Sequence, residues 1–260
     1  MELMIRSERL RLRDVAPGLM ASTDVAATRS GAMLVRLLWL STLVLVLISV
    51  AMVTRRALDL FGIVPSSSAL SDSAPPDAAF ARHALLTMVH IVPGLIFVVL
   101  GPLQFVSTLR SRRPRLHRWM GRVVLTSGLV TGITALAIST QMAIGGAVER
   151  AATALFGVIF LVALGQAFVS IRRRQVARHR EWMIRAFALG LAVATIRPIV
   201  GAFFATKSLT HLTPHEFFGI AFWIGFTTHL VAAEIWINYT RRGTTIARRT
   251  ASAPILSKQS

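Results

Sequence analysis

The sequence predicts an all-α, polytopic membrane protein of six transmembrane helices, with both termini on the cytoplasmic side. Three observations carry that prediction. Apolar residues make up 54% of the 260-residue chain and charged residues only 15%, too greasy a balance for soluble domains. Six apolar runs, almost free of charge, have the roughly 17–25 residues that a hydrocarbon core of about 30 Å demands. Threading them alternately across a bilayer places 23 of the 29 Lys and Arg on the side that holds both chain ends. Short basic loops stay in the cytoplasm, so that side is the inner one.

The same distribution explains the net charge of +18. All of the excess lies on one face, where it orients the chain and attracts anionic headgroups, so membrane lipid is the expected partner and nucleic acid is not. The chain has no cysteine, which excludes disulfides, thiolate metal sites, iron–sulfur clusters and cysteine nucleophiles.

Taken in order, residues 1–32 mix charges of both signs with too few apolar residues for a core, and read as a disordered cytoplasmic tail. The six-helix domain then covers 33–242. Its first helix, 37–54, follows too long an amino-terminal region for a signal peptide and stays as an anchor. Pro65, Ser66–Ser68, Pro75 and Pro76 mark an external loop over 55–83. The second to fifth helices are expected at 84–109, 123–142, 151–171 and 186–206. The sixth, 214–239, opens on Thr213, Pro214 and Glu216, a capping box with proline at the first helical position. Gly128 and Gly132 in the third helix, and Ala221 and Gly225 in the sixth, have the small-residue spacing that lets helices approach closely or a homodimer form. Residues 243–260 form a second basic tail.

The chain also repeats itself. At an offset of 62 residues Gln104 matches Gln166, Arg110 matches Arg172, His117 matches His179 and Arg118 matches Arg180. After one inserted residue, Glu181, Trp119 matches Trp182, Met120 matches Met183 and Arg122 matches Arg185. The hairpins of helices 2–3 and 4–5 therefore read as a parallel internal repeat, related by an axis along the membrane normal.

The run Gly101-Pro102-Leu103-Gln104-Phe105, then Leu116-His117-Arg118 with Gly121-Arg122, and later His179-Arg180 with Trp182-Met183-Ile184-Arg185, resembles a bacterial family of multipass membrane proteins known as a domain of unknown function (DUF2306-like). The likeness covers roughly residues 80–240. It implies a multipass protein of the inner membrane and brings no reaction, cofactor or partner with it. One departure lies within the repeat, where Ile184 stands at the position of Gly121.

Ionisable residues at membrane depth are costly and are functional candidates by default. Four stand out: His90, Arg197, His229 and Glu234. At about 1.5 Å per residue the first three share a layer in the outer half, and Glu234 lies nearer the cytoplasm. Pro198 beside Arg197, and Pro93-Gly94 one turn beyond His90, interrupt backbone bonding there. These features predict a ligand pocket in the outer half between the second, fifth and sixth helices. The plainer alternative pairs Arg197 with Glu234 and satisfies both histidines with backbone carbonyls.

Other chemistries fit the same residues. Imidazoles on facing helices ligate b-type haem, so His90 and His229 form one candidate axial pair, and the repeat-related His117 and His179 form a second site at the cytoplasmic turns. Arg118 and Arg180 beside them equally suit headgroup phosphates. A small transporter or permease accessory protein would use the parallel repeat and the intramembrane Arg197. The chain lacks the HExxH and GxSxG motifs, so no catalytic residue can be named.

Overall fold

The structure, a computed structural model, describes the backbone of residues 2–63 and 82–252 and the side chains of 31–63 and 82–242. Among the described residues there is no strand. Eight helices follow one another: α1 (Glu2–Leu60), α2 (Ala84–Phe105), α3 (Ser107–Arg112), α4 (Pro114–Met142), α5 (Gly146–Arg172), α6 (Val176–Ala205), α7 (Lys207–Thr210) and α8 (Pro214–Ser252). Six of them contain stretches long and apolar enough to cross a membrane: Gly31–Leu60, Ala84–Phe105, Pro114–Met142, Gly146–Arg172, Val176–Ala205 and Pro214–Arg242. The all-helical class and the six spans are those the sequence predicts.

Most helices begin or end outside the apolar runs. α1 is helical from Glu2, through residues read from sequence as a tail, and α8 continues to Ser252. α4 starts at Pro114, nine residues before the apolar run, because proline at the first helical position costs no backbone bond and Arg113 before it is held out of the helical region (φ −130°, ψ 60°). The expected external loop lies largely outside the described residues.

The chain divides into two compact units, the residues up to Val44 and those from Leu45 onward. The first is the leading part of α1. In the second, α2 packs along α4, α4 along α5, α5 along α6, and α8 lies in the groove of α5 and α6, whereas α2 and α6 touch sparingly. Small residues make the close approaches. Gly128 of α4 receives Phe97 and Leu164, Gly132 receives Leu161 and Phe160, and Gly225 of α8 receives Ile196. The small-residue pairs thus seat neighbouring helices of the same chain.

The centre of the bundle is aromatic. Phe97, 1% exposed, meets Phe160 edge to face at 5.4 Å and Phe187 at 6.2 Å, and Phe105 meets Phe187 at 5.8 Å. Phe97 lies against Gly190 of α6 and Phe187 against Gly101 of α2, so the sparse α2–α6 contact is made largely by two rings over two glycines. This layer separates two polar regions, one at each end of the bundle.

Candidate functional site

The first region lies between the aromatic layer and the end where α5 and α8 begin. Arg197 stands eight residues before the end of α6, about 12 Å along the axis. Its side chain is exposed, and its guanidinium makes no hydrogen bond or ion pair among the described residues. Gly201, one turn further on the same face, has open space where a Cβ would stand. Within electrostatic reach of Arg197 are His90 of α2, Glu149 of α5 and Arg56 of α1. Arg56 is engaged with Asp59 at 3.2 Å.

His90 is oriented by α4. Its Nδ1 lies 3.2 Å from the Thr131 carbonyl and 3.0 Å from the Thr134 hydroxyl. A ring nitrogen facing a carbonyl must carry the proton, so Nδ1 donates and Nε2 keeps its lone pair. Glu149 is buried, and its carboxylate accepts a 2.6 Å bond from the Gly145 N–H at the start of α5. One turn deeper on the same face, the buried Thr153 hydroxyl has no partner. Glu149 is absent from the four candidates read from sequence, because it lies just outside the apolar run and counts there as a loop acid.

The other candidates fall elsewhere. His229 of α8 bonds through Nε2 to the Thr195 hydroxyl at 2.7 Å, with the Ala188 backbone beside it. Thr195 and Arg197 are two residues apart, about 200° around α6, so His229 serves the opposite face of that helix from the Arg197 region. His90 and His229 bond to different helices, α4 and α6. Glu234 is committed to Arg185, whose Nε and Nη2 donate to its two oxygens at 2.5 and 2.9 Å. The alternative Arg197–Glu234 pair is replaced by this bidentate one. Arg185 counts in the sequence as a turn residue, which concealed it as a partner for an intramembrane acid.

The second region is the Arg-rich end, where the two repeated turns lie. His179 donates from Nδ1 to the Ala167 carbonyl at 2.9 Å. His117, its counterpart, has a buried Nδ1 with no partner among the described residues, as has the Nε2 of Gln104. His179, Arg110 and Arg118 lie within electrostatic reach of His117. Arg118 and Arg180 are both exposed. Among the described residues no three His, Cys, Asp or Glu side chains come together to hold a metal ion.

At the start of α8 half of the expected capping box forms, since the Glu216 N–H bonds the Thr213 carbonyl at 3.0 Å rather than the Thr213 hydroxyl. The Glu216 carboxylate accepts 2.8 Å bonds from both the N–H and the hydroxyl of Thr213.

Residues 87–237 match the family described as predicted membrane protein (DUF2306), which spans more than half of the chain and both polar regions. No curated protein and no solved structure matches the chain.

Proposed function

The chain belongs to the DUF2306 family of predicted membrane proteins, and on that premise we propose that it binds a small anionic ligand within the membrane, with Arg197 as the anchoring cation. The observation that supports this reading is the guanidinium of Arg197, unpartnered among the described residues and within electrostatic reach of His90 and Glu149. An arginine at membrane depth costs about 2.5–3.5 kcal/mol on insertion scales, and a counter-anion reduces that cost. Glu234 is engaged by Arg185, and Glu149, the carboxylate within electrostatic reach of Arg197, accepts its hydrogen bond from the Gly145 N–H. A carboxylate or phosphate offers the planar or trigonal oxygens that a guanidinium fork binds two at a time. His90 Nε2 and the Thr153 hydroxyl would then supply polar contacts to the rest of the ligand.

In this reading the Arg-rich end faces the cytoplasm of the inner membrane and the Arg197 region opens toward the other side. The test is thermal unfolding of the detergent-purified full chain with succinate, a fatty-acid carboxylate or inorganic phosphate. At least one probe is expected to raise the melting temperature, since a ligand at 100 times its Kd adds about 2.7 kcal/mol. Arg197→Gln should remove the rise and Arg197→Lys should keep part of it. A succinate or fatty-acid rise retained in full by Arg197→Gln, or no rise with any probe, overturns the proposal.

A further inference from the structure

The orphaned polar atoms at the Arg-rich end point to a second site. We propose that the first of the two repeated turns holds an oxyanion, a phosphate group, between Gln104 Nε2 and His117 Nδ1. The site is separate from Arg197, and neither reading depends on the other.

The argument starts from how the second copy satisfies the same residues. By the repeat offset, the Ala167 carbonyl that receives His179 corresponds to the carbonyl of Phe105. α5 runs unbroken to Arg172, so that carbonyl stays in place beside the histidine. In the first copy Pro102 withdraws a backbone donor, α2 stops at Phe105, and Val106 turns extended (φ −71°, ψ 113°) before α3 begins. His117 has thereby lost its acceptor.

Gln104 lies over the same face of α4. Its Oε1 is 3.3 Å from where a Cβ of Gly121 would stand. Gly121 is one turn beyond His117, so the Gln104 amide reaches the face of α4 that carries the imidazole. The second copy has Ile184 at the matching position. The first turn therefore differs from its duplicate in three linked ways: a broken helix, a missing Cβ and two unsatisfied buried atoms.

The chemistry of those atoms selects the ligand. The amide Nε2 can only donate, and the His117 Nδ1 donates when it carries the ring proton, as the Nδ1 of His179 does. A single oxygen could accept from both. The charges acting on His117 come from Arg110, His179 and Arg118, and no carboxylate is among them. Donors converging in a cationic setting at the end of a membrane helix favour an oxyanion over a neutral acceptor. The phosphate can come from an inner-leaflet lipid or from solution.

The experiment uses the full chain and two arms. One compares thermal unfolding in detergent with and without inorganic phosphate. The other compares nanodiscs of phosphatidylglycerol with nanodiscs of phosphatidylcholine. A rise in melting temperature in the first arm identifies free phosphate, and a rise confined to the second identifies the headgroup. Gln104→Leu leaves every surface charge in place and should abolish the rise, while itself raising the ligand-free melting temperature by about 2–4 °C because an unsatisfied buried group is removed. Gly121→Ile, which copies the second turn, should abolish the rise as well. If neither arm responds, or if both variants respond as the native chain does, the proposal fails. A phosphate response lost in Arg197→Gln and kept in Gln104→Leu belongs to the Arg197 region and equally overturns this one.

Discussion

The two repeated turns begin from the same residues and end in different states. In the second, Arg185 grips Glu234 with two hydrogen bonds and lies 4.6 Å over the Trp182 ring, Glu181 pairs with Arg241, and His179 is tied to Ala167. α8 thus locks this turn. In the first, Trp119 is 60% exposed, Arg122 is exposed, and His117 and Gln104 carry orphaned nitrogens. The matching residues of the two turns do different work. One turn fastens the last helix, and the other leaves polar atoms without a partner among the described residues.

The largest test of that contrast is to remove the same residue from each turn. Arg185→Gln should cost about 2 kcal/mol, below the 3–5 of a fully buried pair because the Glu234 side chain is 41% exposed. Arg122→Gln should change stability by less than about 0.5 kcal/mol. Both are read as shifts in the unfolding midpoint of the purified protein, and equal losses would show that the turns are not specialised. Next, His179→Phe strands the Ala167 carbonyl and should cost about 1 kcal/mol, whereas His117→Phe removes an unsatisfied nitrogen and should be neutral or stabilising. A His117→Phe loss as large as that of His179→Phe would mean that His117 has a partner of its own.

A smaller effect is expected in the Arg197 region. His90→Phe gives up the bond to Thr131 and Thr134 and should cost about 1 kcal/mol, with a matching fall in any response to anions. An unchanged anion response would confine His90 to helix packing. The smallest effect is at the Glu181–Arg241 pair, where Arg241 is largely exposed. Glu181→Gln should lower the midpoint slightly at low salt and leave it unchanged at high salt, since exposed pairs are screened. A loss that persists at high salt would mark this pair as part of the lock.

The fold was legible because hydropathy reports membrane thickness directly. It misplaced helix ends for the same reason: the apolar run measures the bilayer, and α4 and α6 begin nine or ten residues before it, where Pro114 or charged residues continue the helix into water. Depth along a helix was legible too, so Arg197 and His90 were found on one level. Azimuth was not. Each residue turns the helix by about 100°, so Thr195 and Arg197 are neighbours in sequence and serve opposite faces, which separated His229 from the site. Glu149 and Arg185 escaped because a reading built on apolar runs files their charges as loop. The orphaned nitrogens of Gln104 and His117 left no trace in composition, although the unequal residues of the repeat, Gly121 against Ile184, point to that turn.

The ring of Phe97 with its neighbours Phe160 and Phe187 has an electrical consequence. Polar ends that solvent or headgroups can reach sit close to the potential of their own side, so the voltage across the membrane falls mainly over the dry aromatic layer between them. A potential of 100 mV contributes about 2.3 kcal/mol per elementary charge crossing that layer. Occupancy at either end should therefore depend little on voltage. A charge passing from one end to the other would cross the layer where Phe97 lies against Gly190 and Phe187 against Gly101. The layer acts as the dielectric of a small capacitor, with Arg197 beside one plate and Gln104 beside the other.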